Sequence, residues 1–119
     1  MRNRYLGLKL ALALAAGLSP LMSTAALASN AGAGTINTVI VNSQGKAFFT
    51  QTGSRSGQPS CATTEPNRWA FDVTTAKGQA MLALVLTAYS AGKQVTVNGI
   101  GSCPDWGDTE TVDYIVTVN

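Results

Sequence analysis

The sequence contains no histidine and only two cysteines. Without imidazole there is no Ser-His-Asp or Cys-His nucleophile system, and the commonest zinc ligand is missing. Two thiolates alone make a poor zinc site, because zinc ordinarily takes four ligands. Charge is scarce as well: 12% of residues are charged, eight of them basic and six acidic. No apolar run reaches the roughly 20 residues that a membrane-spanning helix needs.

The longest apolar run lies in "MRNRYLGLKLALALAAGLSPLMSTAALASN", where Arg2, Arg4 and Lys9 flank it and Ala26 and Ala28 stand before Ser29. That is the layout of a secretory signal peptide, residues 1 to 28, cleaved after Ala28. Its removal takes three basic residues and no acidic ones, leaving a net charge of −1. Nucleic-acid binding then loses its support, since phosphate contacts need clustered basic residues and Lys46, Arg55, Arg68, Lys77 and Lys93 are scattered. The expected location is exported, periplasmic or secreted, with no transmembrane segment after processing. In an oxidising compartment two cysteines and no third predict a Cys61–Cys103 disulfide. Closing a loop of about 43 residues would stabilise the fold by roughly 4 kcal/mol in the chain-entropy picture. The remaining chain of about 91 residues suffices for one small domain that gains from such a staple.

Along that chain, "SNAGAG" (29–34) is small and polar and reads as a flexible lead-in, with a single domain over 35–119. "TINTVIVN" and "KAFFTQT" are β-rich and separated by "NSQG", a hairpin pattern. The polar loop "GSRSGQPSCATTEPN" (53–67) follows, tied in its middle by Cys61. "RWAFDV" reads as a third strand with Trp69, Phe71 and Val73 on one side, and Trp69 is expected in the core. "TTAKGQAMLALVLTAYSAGK" carries the one strong helix signal: Thr74 or Thr75 caps the start and Gly92 suits the left-handed stop. At helical spacing Leu82, Val85, Leu86 and Tyr89 form a bulky face, and Ala80, Ala83, Leu84, Thr87 and Ala91 a face of mostly small residues. So apolar a helix is either deeply buried or covered by another subunit. "QVTVNGIGSC" and "TETVDYIVTVN" are the last two strands, with Val112, Tyr114, Val116 and Val118 expected inward.

The fold class is therefore mainly β with one helix. Three strands, a helix and two strands is the order of an OB-like five-stranded barrel, β-β-β-α-β-β, and also of a split sheet with one helix packed across it. Cys61, the segment "FDVTTAKGQAMLALVLTAYSAGKQVTVNG" and Cys103 resemble the single-disulfide OB domains of pertussis-like and typhoid-like toxin B subunits. They also resemble small exported Gram-negative proteins with the same helix and bracketing cysteines. The resemblance spans about a third of the chain. It implies a non-enzymatic binding or assembly module, glycan-binding in the manner of the toxin subunits, although one fold hosts many activities.

Charge clusters only in "GSCPDWGDTETVDYI", with Asp105, Asp108, Glu110 and Asp113. A calcium loop would need D-x-[DN]-x-[DN]-G order, which "DWGDTE" lacks. A glycosidase pair would need a cleft with distinct acid and base roles. "SQGK" (43–46) has the S-x-x-K spacing of penicillin-recognising enzymes but falls in a hairpin turn. Neither a metal nor a cofactor is implied. The stretch reads first as a turn: Pro104 pre-sets φ, Asp105 and Gly107 suit turn geometry, and Cys103 pins it. Alternation puts Glu110 level with the inward set and Asp113 outside.

Trp106 at the turn either folds back or stacks on a ligand. For a sugar, the loop-borne candidates are Trp106 with Arg55, supported by Asp105 and Ser54. For a homo-oligomer, the candidate face is Ala80, Ala83, Leu84 and Ala91, where close approach buries apolar area. The rival readings are a structural envelope-associated protein without a small ligand, and a small inhibitor or hydrolase.

Overall fold

A computed structural model describes residues 28 to 119. The expected signal peptide, Ala28 apart, lies outside the described residues. The elements are β1 (Asn30–Val41), β2 (Lys46–Gln51), a two-residue β3 (Arg55–Ser56), β4 (Arg68–Asp72), α1 (Ala76–Ala91), β5 (Gln94–Gly99) and β6 (Val112–Val118), with a 3-10 turn at Ser60–Ala62. All strand ladders are antiparallel, in the order β4-β2-β1-β5-β6, and β3 pairs with β1. The expected order of strands and helix holds, with the two-residue β3 added inside the polar loop. The sheet is not closed by a ladder; an isolated parallel bridge joins Ala70 to Thr111. The disulfide Cys61–Cys103 is present. Among the described residues no helix is long and apolar enough to cross a membrane.

The segment expected as a flexible lead-in is instead the first part of β1. Asn30 and Ala31 pair with Asn98 and Val97 of β5, and Ser29 and Ala31 are buried. Small residues are poor strand formers by propensity, but here the backbone passes where a side chain could not. A Cβ on Gly34 would lie 2.1 Å from the Gly53 nitrogen.

Three bulges change which side chains face the core, the first between Ala31 and Gly34, which pair with Val97 and Val95. Ile36 pairs with Gln51 and Thr38 with Thr50, so Asn37 is an extra residue; Gly99 pairs with Val112 and Asn98 with Tyr114, so Asp113 is another. An added residue reverses the alternation beyond it. Val112 is therefore buried and Ile115 packs on the core, whereas Tyr114 and Val116, expected inward, are exposed at 52% and 48%. The core itself is built on Trp69, Phe49, Phe71, Val85, Val95 and Val97, with Trp69 and Phe71 on one side as the alternation in β4 predicts.

Helix α1 begins with Thr75, whose hydroxyl accepts from the Gly78 N–H at 3.0 Å, and ends on Gly92 at φ 63°. Its apolar residues lie on every side, so something other than bulk must set its rotation. Gly78 does: a Cβ there would fall 1.6 Å from the Asp72 carbonyl oxygen. With Gly78, Val85 and Ala88 turned inward, Leu86 and Tyr89 of the expected bulky face are left exposed. Ala80, Ala83 and Ala91 are exposed as well, and Leu84 is half-buried. Replacing Gly78 by Ala, which favours an isolated helix by about 1 kcal/mol, should therefore lower the stability of this protein by about 2 kcal/mol or more. Urea unfolding of the two proteins checks it, and a stabilised Gly78→Ala variant would contradict the close approach.

Candidate functional site

The four carboxylates near the C-terminus go to four different places. Asp105 meets the Lys46 ammonium at 3.2 Å and accepts from the Thr111 hydroxyl at 3.1 Å. Asp108 takes a 2.6 Å bond from Arg68. Asp113 is exposed. Glu110 is fully buried, its carboxylate bound by Arg55, by the Ser29 hydroxyl and, at 2.8 Å, by the Gly101 N–H. Among the described residues no three metal-ligating side chains converge.

Arg55 is not a loop-tip side chain offered to a ligand. Its side chain is 2% exposed, lies 3.8 Å over the Trp69 ring, and donates to the carbonyls of Pro66 and Arg68 at 2.6 and 3.2 Å as well as to Glu110. The reason is topological: β3 pairs with the first residues of β1, which turns Arg55 over the core toward Glu110. Burial pushes the Arg55 guanidinium below its ordinary range, and the hydrogen bond and charge of Glu110 oppose that shift.

Trp106 bridges to Thr109 and folds back, its ring edge-on to Phe48 with centroids 5.2 Å apart. Ser54 is exposed, and its carbonyl accepts from Gly32 at 2.9 Å. The expected quartet is thus dispersed: Arg55 on Glu110, Trp106 on Phe48, Asp105 on Lys46, and Ser54 alone at the surface.

A different set of polar side chains converges. Asn37, Thr50, Thr52, Glu65, Asn67 and Arg68 line an open groove between the β1–β2 hairpin and the turn before β4. Gln51 supports its floor: its amide donates to the Gly32 and Val95 carbonyls at 2.8 and 2.7 Å and accepts from Gly53. Arg68 is fixed from behind by Thr109 at 2.8 Å and by Asp108. The bulge at Asn37 and the Pro66 carbonyl held by Arg55 set the two walls. The groove presents amides, hydroxyls, a carboxylate and a guanidinium; Thr50 donates to Asn37 and Arg68 lies 3.8 Å from Glu65. Sequence reasoning missed it because its residues come from three segments, none with a motif; "TTEPN" reads only as loop.

A second, smaller hollow lies beside the start of α1, floored by Phe71, Met81 and Val112 and rimmed by Asp72 and Asp105. Lys46 joins the rim carboxylates, at 2.8 Å from Asp72. Hydrogen bonds from Lys46 and Thr74 hold the Asp72 carboxyl down at about 2, and the Asp72 bond raises the Lys46 ammonium above its usual range. One ammonium here is shared by two carboxylates, and Lys77 also lines the hollow.

No family model, no curated protein and no solved structure matches the chain.

Two measurements test the electrostatics. Removing one partner of a buried pair strands the other, so Arg55→Met or Glu110→Leu alone should destabilise by about 3–5 kcal/mol, while the double replacement recovers much of the loss. Chemical denaturation of the four proteins reads this, and losses that simply add would deny the coupling. The Asp72 carboxyl, lowered from 3.8 to about 2 in the fold, contributes stability that is present above pH 4 and is lost as pH falls through 2. The Lys46 share is complete below 10.5 and is lost as pH rises beyond it. Lys46→Met should therefore flatten both flanks of a melting-temperature profile; an unchanged acid flank would remove Lys46 as the cause.

Proposed function

We propose that the chain is an exported, non-enzymatic binding module with an OB-like barrel architecture and a glycan as its ligand. The observation that carries the reading is the groove of Asn37, Thr50, Thr52, Glu65, Asn67 and Arg68. Sugar hydroxyls are bound by planar amides, carboxylates and guanidinium groups held in fixed positions, and this groove has all three on supported backbone. The barrel reading is supported by the strand order β4-β2-β1-β5-β6, the helix between β4 and β5, and the bridge from Ala70 of β4 to Thr111, the residue before β6. Export, to the periplasm or beyond it, is supported by the disulfide. The non-enzymatic reading is supported by the missing histidine and by the commitment of Asp72, Asp105, Glu110 and Asp108 to ion pairs.

A structural envelope-associated protein without a small ligand is the second reading, favoured by the packing of Trp106 on Phe48. An assembly role, as a homo-oligomer, has the exposed small face of α1 at Ala80, Ala83 and Ala91, with Leu84, as its support.

A glycan-array screen with the purified protein separates the readings. Binding should appear, fall at least tenfold in Glu65→Ala and Asn67→Ala without loss of melting temperature, and survive in Trp106→Ala, whose melting temperature drops. Binding lost only in Trp106→Ala would move the site to the turn. No binding to any glycan would leave the structural reading in its place.

A further inference from the structure

The sheet ends in two strands, β4 and β6, and the ends are not alike. β4 is closed: Ala70 donates its N–H to the Glu110 carbonyl at 3.1 Å, and Arg68 and Asp72 at its two ends are held in ion pairs by Asp108 and Lys46. Past its bulge, β6 has no such guard. Tyr114 to Val118 reads Tyr-Ile-Val-Thr-Val, all good strand formers, without charge, proline or glycine. Its inner edge pairs with β5 from Asn98 to Gln94, and no ladder covers its outer edge among the described residues. Tyr114 and Val116 are about half exposed. Soluble proteins ordinarily protect an edge of this kind with lysine, proline or a bulge.

We propose that this edge pairs antiparallel with the same edge of a second copy, about a two-fold axis at Val116. The occupant follows from self-complementarity. In that register Val116 faces its own copy, Tyr114 faces Val118, and Ile115 faces Thr117, so each cross-strand pair joins β-branched residues to one another or to an aromatic ring. Asp113 falls outside the ladder. Sliding the strands toward their N-terminal ends brings the Asp113 bulge into the ladder and finally sets Asp113 against its own like charge, which closes that direction. Joining β6 of one copy to β4 of the next is disfavoured, because the β4 edge is already bonded to Glu110 and flanked by committed charges. Beside the edge, Ala80, Met81 and Leu84 share a hollow with Tyr114 and Ile115, so the join covers apolar surface beyond one row of side chains. The pairing is isologous, as in most two-fold dimers, and needs neither the groove nor its ligand.

Sedimentation of the purified chain over the micromolar range tests it. The wild type should show a concentration-dependent dimer, Val116→Lys should be monomeric with the melting temperature of the dissociated wild type, and Ala83→Glu on the outer helix face should still dimerise. Val116→Cys should give a reducible covalent dimer on mild oxidation and Ala83→Cys should not, a readout independent of how Val116→Lys folds. A wild-type monomer at high micromolar concentration, a dimer that persists in Val116→Lys, loss of the dimer in Ala83→Glu, a ring of more than two copies, or no cross-link at Val116→Cys would each overturn the pairing.

Discussion

The carboxylate of Glu110 is the point on which the rest of the fold turns. It is fully buried in a chain with few charges, and an isolated carboxylate there would be several kcal/mol unfavourable. Its partners come from separate parts of the chain: Ser29 before β1, Arg55 in β3, and Gly101 after β5. The backbone carbonyl of the same residue receives Ala70 of β4. Room for the carboxylate exists only because position 99 has no side chain, since a Cβ there would lie 2.1 Å from one carboxylate oxygen and 2.9 Å from the Trp69 ring. Trp69 in turn stacks under Arg55. A charge pair of this kind adds little net stability against an apolar core, but it penalises every arrangement in which one of these segments is displaced.

The same network sets the outer surface. Arg55 holds the Pro66 and Arg68 carbonyls, and so fixes the turn that forms one wall of the polar groove. The disulfide then fastens the 3-10 turn at Ser60–Ala62 to the segment that follows β5. A loop of this length with no pairing of its own would be costly to order on each binding event. Here the ordering is achieved in folding, and the groove residues stand on backbone that is already held.

What could be read from the sequence was whatever a local pattern determines. The strand and helix segments, the caps at Thr75 and Gly92, the core role of Trp69 and the inward place of Glu110 follow from spacing and residue type. Properties set by distant contacts did not show. The small residues 30–34 looked unstructured because propensity is local, whereas their pairing with β5 spans more than sixty positions of chain. The bulges at Asn37 and Asp113 have no marker residue, and each reverses the alternation that sets which side chains face inward. Arg55 looked like a ligand contact because it stands in a loop of glycine, serine and proline; only the position of Glu110 makes it a core residue. Trp106, Arg55, Asp105 and Ser54 suit a sugar by loop position and chemistry, and the groove residues carry the same polar chemistry without a motif.

The distribution of charge limits what kind of recognition this surface can support. Among the described residues, Lys46, Arg55 and Arg68 are paired with Asp72, Asp105, Glu110, Asp108 and Glu65, which leaves Lys77, Lys93 and Asp113 outside any ion pair. These are single charges, and at physiological ionic strength each is screened within about 8 Å. Electrostatic steering of a partner from a distance is therefore weak. On the readings proposed above, a partner is selected at contact, by hydrogen bonds in the polar groove or by apolar and backbone pairing along β6. The two surfaces draw on different residues: the groove needs fixed polar groups on the β1–β2 side, and the edge needs unpaired backbone on β6. A dimer joined at β6 would leave Asn37, Glu65 and Asn67 uninvolved in the join, so two grooves could act together on one multivalent ligand, gaining avidity without a new contact in either site.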